Sequence, residues 1–261
     1  MRGQWGPLVV VALMLAAFAA PAIAPYAPEQ LDLAHRRERP SRVHWFGTDE
    51  LGRDVMARVL YGARVSLAVG LLSAALAGAS GVAIGGLAGY AGGALDNGLM
   101  RATDAMLAVP RLPLLMIASA VSRPDVLRLV TLIGLASWME TARVARAEFL
   151  TLRTRDFVAA ARALGAGHAR LMAAHLLPNA APAVIVSTTL AVGRSILLES
   201  ALSFFGVGVQ PPVASWGNML YQAQSALGTE PWLALFPGLF IFVTVLSVNL
   251  AGERLSSDAR R

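Results

Sequence analysis

The chain has 261 residues, of which 56% are apolar and 15% charged; with a mean hydropathy of +0.58, that balance makes the bilayer its solvent. Cysteine is absent and all 22 strongly basic residues are Arg, which excludes disulfides, Cys-ligated metal, thiol nucleophiles, Lys Schiff bases and a Walker A phosphate loop. The net charge of +6 sits on Arg at the ends of apolar runs with no stripe of interleaved aromatics, a pattern that suits an anionic membrane surface and not nucleic acid.

A helix crossing about 30 Å of hydrocarbon needs about 20 mostly apolar residues, because it must satisfy its own backbone hydrogen bonds there. Six windows meet that demand, and the expected fold is all-α, a polytopic membrane protein of about six transmembrane helices. The first window runs from about Leu8 to Ala24 and stops at Pro25 and Pro28. It also reads as a signal peptide, since Arg2 precedes it and Ala22-Ile23-Ala24 has a small-x-small form. Domain boundaries are expected at 1–27 for this helix, 28–64 for an extracytoplasmic segment, 65–252 for the core and 253–261 for a cytoplasmic tail. Orientation by the positive-inside rule is poorly determined, because Arg residues are nearly as frequent in the segments expected outside as in those expected inside.

Residues 28–64 contain Gly47-Thr48-Asp49-Glu50-Leu51-Gly52-Arg53-Asp54. Asp49, Glu50 and Asp54 near His44 could be read as metal ligands, but their order fits neither an EF-hand loop nor a His-rich zinc pattern. The expected role is structural: tight turns at Gly47 and Gly52, and a helix cap or Arg53 pair from Asp49 or Asp54. The second window, Val65 to about Gly89, carries Gly81, Gly85, Gly89 and Gly93 at four-residue spacing. Such a face lets helices approach closely, within this chain or against another subunit. The third window, about Ala105 to Val121, is interrupted by Pro110, Arg111 and Pro113, and the fourth, about Leu127 to Ala147, turns polar from Glu140.

Between the fourth and fifth windows lies a polar interval, 151–179. Phe157, Ala160, Ala161 and Leu164 fall at helical spacing, Gly165 can end a helix, and Leu171, Met172 and Leu176 supply a second stripe before Pro178. Two short helices about a glycine are expected, either as an ordinary interfacial connection or as a docking surface for another protein. His168 and His175 flank the turn as expected surface contacts. The fifth window, Ala180 to Phe205, holds Arg194 and Glu199; an ionised group there costs about 2.5 to 3.5 kcal/mol. Five residues apart, they face different ways and need different partners. Glu199 is expected either in a translocation pathway or gate, or in a structural pair with Arg. The sixth window is Trp232 to Leu250.

Ala159-Ala160-Ala161, then Gly165, then Leu177-Pro178 resembles the EAA signature of binding-protein-dependent ABC importer permeases, with Ala159 at the Glu position and His175 at the Ile position. The GTDELGRD block, followed by Tyr61-Gly62-Ala63-Arg64-Val65-Ser66-Leu67, resembles the C-type subunit of the dipeptide, oligopeptide and nickel branch. So does Leu202-Ser203-Phe204-Phe205-Gly206-Val207-Gly208-Val209-Gln210-Pro211-Pro212 with Ser215-Trp216-Gly217. In place of that branch's terminal Asp-Gly pair the chain has Glu253-Arg254.

The resemblance implies a type I ABC importer permease fold in a bacterial or archaeal inner membrane. It implies ATPase coupling through Asp156, Ala160, Ala161, Leu164, Gly165, His175, Leu177 and Pro178; Glu199, which matches a position of the family block, and Arg194 are expected on the translocation pathway as charges inside a span. The implied partners are a homologous permease subunit, two ATPase subunits that bind ATP and magnesium, and an extracytoplasmic solute-binding protein. No cofactor is expected in this chain. An ion-coupled secondary transporter is the principal alternative, opposed by the short chain and the absence of an obvious inverted repeat; a membrane-embedded enzyme lacks an HExxH or GxSxG motif.

Overall fold

The computed structural model describes residues 5–121 and 125–258. Helices α1 (Trp5–Phe18) and α2 (Ala20–Ile23) lead to an irregular segment, from which α3 (Val55–Ala91) rises as a 37-residue rod. At about 1.5 Å per residue α3 is about 55 Å long, well beyond the hydrocarbon thickness. It starts ten residues ahead of the expected apolar window because Asp54 caps it: the carboxylate accepts from the Ala57 amide at 2.7 Å.

Beyond α3 come α4 (Gly93–Ala108) and α5 (Arg111–Ala120), bent by 80° at Val109-Pro110. The third expected window therefore straddles a corner instead of forming a straight span. Pro110 caps α5 from an extended conformation, the geometry that a proline ring and the residue before it favour. The fourth window is also divided, into α6 (Val126–Leu135) and α7 (Trp138–Leu152). The break lets each half follow a different part of α3. Leu129, Val130 and Ile133 of α6 pack in a cluster with Val69 of α3 and Leu202, while α7 lies along the glycine face.

That face packs within the chain. A Cβ on Gly81 would stand 2.7 Å from Thr141, one on Gly85 would stand 2.0 Å from the Ala142 carbonyl oxygen, and one on Gly89 would stand 2.6 Å from the Arg146 carbonyl oxygen. Gly93 departs from the repeat, since it lies past the end of α3, opening α4 at φ +60 with open space around it. Arg146 then clasps Asp96 at 2.5 and 2.7 Å, tying α7 to α4.

The chain continues through α8 (Asp156–Ala163), α9 (His168–Arg170), a π-helical turn (Leu171–Leu176) and α10 (Leu177–Phe204), then α11 (Trp216–Ala223) and α12 (Trp232–Asp258). Among the described residues, α3, the continuous stretch His168–Phe204 and Trp232–Ser257 are each long and apolar enough to cross a membrane, and α4 with α5 would add a bent fourth. The first and fourth expected windows hold shorter apolar helices, α1 and α6. α1 packs against α12, where a Cβ on Gly6 would meet the Ser247 carbonyl oxygen at 2.7 Å.

Candidate functional site

The polar interval is not two separate short helices. α8 ends at Gly165, as expected, but the helix beginning at His168 runs without interruption into α10. Pro178 does not end it. The π-helical turn just before accounts for this: the Leu177 amide donates to the Met172 carbonyl with five-residue spacing, and Pro178, next in line, has no N–H to place. His168–Phe204 is thus one 37-residue lever that carries the loop at its end.

The turn that joins α8 to this lever is fixed by backbone geometry. The Gly165 amide donates to the Arg162 carbonyl and the Ala166 amide to the Ala161 carbonyl at 3.0 Å, with Gly165 at φ +85. This is a helix-ending left-handed cap, and a Cβ at Gly165 would meet nothing within 4 Å. The side of α8 facing the protein differs from the expected stripe. Val158 is the buried residue, packed with Phe149, Leu171, Leu176 and Ala180, with Ala161 against their edge. Phe157, Ala160 and Leu164 point outward, and Leu164 is 89% exposed. Asp156 opens α8 at the surface, Leu177 and Pro178 are exposed, and His175 is half-buried on the π turn. Below them Tyr90 of α3 meets His168 Nδ1 at 2.6 Å, and Arg153 donates to the Gly89 and Tyr90 carbonyls.

The GTDELGRD block lies at the opposite end of α3. Asp49 accepts from the Leu51 and Arg53 amides and from Arg53 Nε at 2.7 Å, while Asp54, besides its cap, meets His44 Nδ1 at 2.9 Å. Gly47 and Gly52 both have positive φ; a Cβ on Gly52 would lie 1.7 Å from the Asp32 carbonyl oxygen. Arg53 and Arg58 both donate to Gln222 Oε1 at 3.3 Å, which docks the block onto α11. These carboxylates are occupied in building a turn and starting a helix.

Glu199 is fully buried in α10. Its oxygens accept from Ser66 at 3.0 Å, Ser203 at 2.8 Å and Ser200 at 3.4 Å. Its partners are hydroxyls, so among the described residues the Arg pairing that was one reading of the sequence does not occur. Ser66 in turn accepts from the Trp216 amide and Ser203 from the Val209 amide. Glu199 therefore joins α3, α10 and the segment after α10 through one carboxylate. Arg194 faces elsewhere, as the five-residue separation requires. Its guanidinium pairs with Glu140 Oε2, and Glu140 Oε1 accepts from Arg111 at 2.6 Å.

Sequence reasoning missed Val158, Ser66, Glu140 and Arg111 as site-building residues. For the last two a signal was present, since each is a charge within an apolar window and such charges seek one another. For Val158 and Ser66 there was none, because a small apolar residue and a serine look the same on any face.

Residues 81–261 match the family described as "Binding-protein-dependent transport system inner membrane component". A protein of Brucella suis biovar 1 (strain 1330), named as a candidate peptide permease, is 40% identical over 96% of this chain and 84% of its own length. The oligopeptide transport system permease protein OppC of Bacillus subtilis (strain 168) is 36% identical over 96% of this chain and 82% of its own. The dipeptide transport system permease protein DppC of the same organism is 36% identical over 96% and 78%. Among solved structures, a chain of the inward-facing MetNI methionine ABC transporter superposes with a TM-score of 0.59 at 18% identity, covering 79% of this chain and 98% of its own. That likeness establishes an ABC importer permease fold. The apolar spans, the loop around Gly165 and these matches agree: this multi-pass inner-membrane chain belongs to the binding-protein-dependent transport system inner membrane component family.

Proposed function

We propose that this permease forms half of the membrane passage of an ATP-driven importer of di- or oligopeptides, or of a related small solute such as nickel, and that Asp156 to Asn179 is the seat of an ATPase subunit. The observation that carries this is the exposed apolar and small-residue face of Phe157, Ala160 and Leu164, mounted through the Gly165 turn on a helix continuous with a membrane span. A Leu exposed on a folded surface is unremarkable singly, but here it sits beside a bare glycine turn in the segment that resembles the EAA signature. Because the helix runs unbroken from His168 to Phe204 through the π turn, Pro178 and Pro182, displacement of the loop by a closing ATPase pair is carried directly to α10, biasing the passage between its two states.

In this reading ATP and magnesium are held by the partner ATPase subunits. A homologous permease subunit supplies the other half of the passage, and an extracytoplasmic solute-binding protein delivers the solute to the end marked by the GTDELGRD block. Arg194 lines the passage. Glu199, sealed from solvent, serves it by holding α3, α10 and the turn before α11 in register. The names of the OppC and DppC relatives support peptide as the solute class. The test is affinity purification of the tagged chain from its native membrane, followed by reconstitution. Co-purifying ATPase subunits and strictly ATP-dependent peptide uptake are expected; uptake by the chain with no nucleotide-hydrolysing companion would overturn the proposal.

A further inference from the structure

The cleft beside Arg194 is about 560 Å³, and its walls include Glu140 and Glu148 of α7, Asn179, Ser187 and Arg194 of α10, and Ser256 of α12. Two guanidinium groups, Arg194 in the cleft and Arg111 behind it, share the carboxylate of Glu140, which among the described residues leaves one positive charge in surplus. The Arg194 side chain is 42% exposed. A surplus cation in a span costs about 2.5 to 3.5 kcal/mol against lipid, so this face is turned toward water or protein.

Glu148 lies eight residues beyond Glu140, two turns further along the same side of α7 and about 12 Å away at 1.5 Å per residue. It is half-buried and forms no ion pair among the described residues. Val144, one turn from each, is in the same wall. The cleft is therefore positive at one end, negative at the other, and neutral between. A tripeptide in extended form separates its ammonium and carboxylate groups by about 10 Å, given 3.3 to 3.6 Å per residue.

We propose that this cleft is a station for a short zwitterionic peptide, its terminal carboxylate held by Arg194 and its ammonium group by Glu148. Arg111 keeps Glu140 neutralised while the carboxylate of the solute occupies Arg194, so no charge is stranded when the peptide arrives or leaves. Planar guanidinium is suited to bidentate capture of a carboxylate. The inference rests on the peptide-import reading and narrows it to peptides with both termini free.

The experiment measures binding of trialanine, trialanine amide and N-acetyltrialanine to the full transporter in lipid nanodiscs by saturation-transfer NMR, for the wild type and three variants. Wild type should prefer trialanine to both blocked forms. Arg194→Gln should weaken trialanine about tenfold, the scale of one lost charge-assisted hydrogen bond, and leave the amide unchanged, while Arg194→Lys should keep part of the preference. Glu148→Gln should erase the preference for a free ammonium group over the acetylated one. Folding is secured because Arg194→Gln leaves Glu140 with Arg111, and co-elution with the companion subunits reports it. No detectable trialanine binding to wild type, or equal loss of all three ligands in Arg194→Gln, would overturn the inference; an Arg194 already occupied by a carboxylate of the second permease subunit would give the former. ATP-dependent uptake by the wild type is measured separately, so a failed station is distinguishable from a failed importer reading.

Discussion

Ser66 of α3 donates to Glu199 of α10 at 3.0 Å, although 133 residues separate them in sequence. The same hydroxyl accepts from the Trp216 amide, so three segments converge on one buried carboxylate. Replacing Glu199 with Leu removes the shared acceptor and strands hydroxyls in a closed interior, at about 1 to 3 kcal/mol for each group left unsatisfied. We expect Glu199→Leu to lower the half-inactivation temperature of the purified complex markedly. Glu199→Gln, which keeps an acceptor oxygen, should lower it only slightly. A Glu199→Leu midpoint equal to that of the wild type would show that the convergence contributes nothing.

The exposed face of α8 predicts a loss of coupling without a loss of stability. Leu164 is 89% exposed, and substitutions at such surfaces ordinarily change stability by no more than about 0.5 kcal/mol. Leu164→Glu should therefore insert and accumulate like wild type while ATP-driven uptake falls at least tenfold, as read by transport against expression level. Uptake at the wild-type rate would remove α8 from the docking surface.

Gly165 is constrained by its backbone and not by its surroundings, because a Cβ there would meet open space. At φ +85 an L side chain costs about 1 to 2 kcal/mol. Gly165→Asn, which tolerates this region, should retain more coupling than Gly165→Ala. Gly165→Asp should leave the subunit inserted but uncouple transport from ATP hydrolysis, since it also places a charge on the docking turn. Uptake and ATPase rates measured on the same preparations check this order.

The glycine face of α3 gives a steric prediction with its own control. A methyl group at Gly85 would lie 2.0 Å from the backbone oxygen of Ala142, which cannot turn aside. Gly85→Ala should cost about 1 to 3 kcal/mol through overpacking and reduce the yield of folded protein. Gly98→Ala, in α4 with no neighbour within 4 Å, should instead be neutral or stabilise by up to about 1 kcal/mol through helix propensity.

Asp54 performs two tasks, capping α3 and meeting His44. Asp54→Ala should lose the cap, at about 0.5 to 2 kcal/mol, and fray the first turn of α3, detectable as faster amide exchange at Val55 to Ala57. Asp54→Asn retains a cap acceptor and should protect those amides nearly as well as wild type.

Much of the architecture was legible because apolar windows and their breakers are local signals. The sequence located the apolar segments, the turn at Gly165 and the structural use of the GTDELGRD block. It erred where a feature depended on a neighbour. Pro110, Arg111 and Pro113 marked the third window as interrupted and Glu140 marked the fourth as turning polar, but the 80° corner at Pro110 and the break before Trp138 were not legible, since the partner surface along α3 sets where each half can pack. Pro178 marks the return toward the membrane in the sequence, but that the helix runs on through it depends on the π turn just before, which absorbs the missing donor.

Composition and order alone determined that this chain lives in a bilayer, cannot carry a Walker A loop of its own, and presents a patterned polar segment between apolar spans. Those properties follow from residue type and spacing, which survive in any conformation. Only the tertiary structure decided that Glu199 answers to serines and not to Arg, that Val158 and not Phe157 faces inward, and that Arg111 and Arg194 converge on Glu140. A side chain's partner depends on the rotation and depth of helices far away in sequence, and that information is stored in packing across the whole bundle.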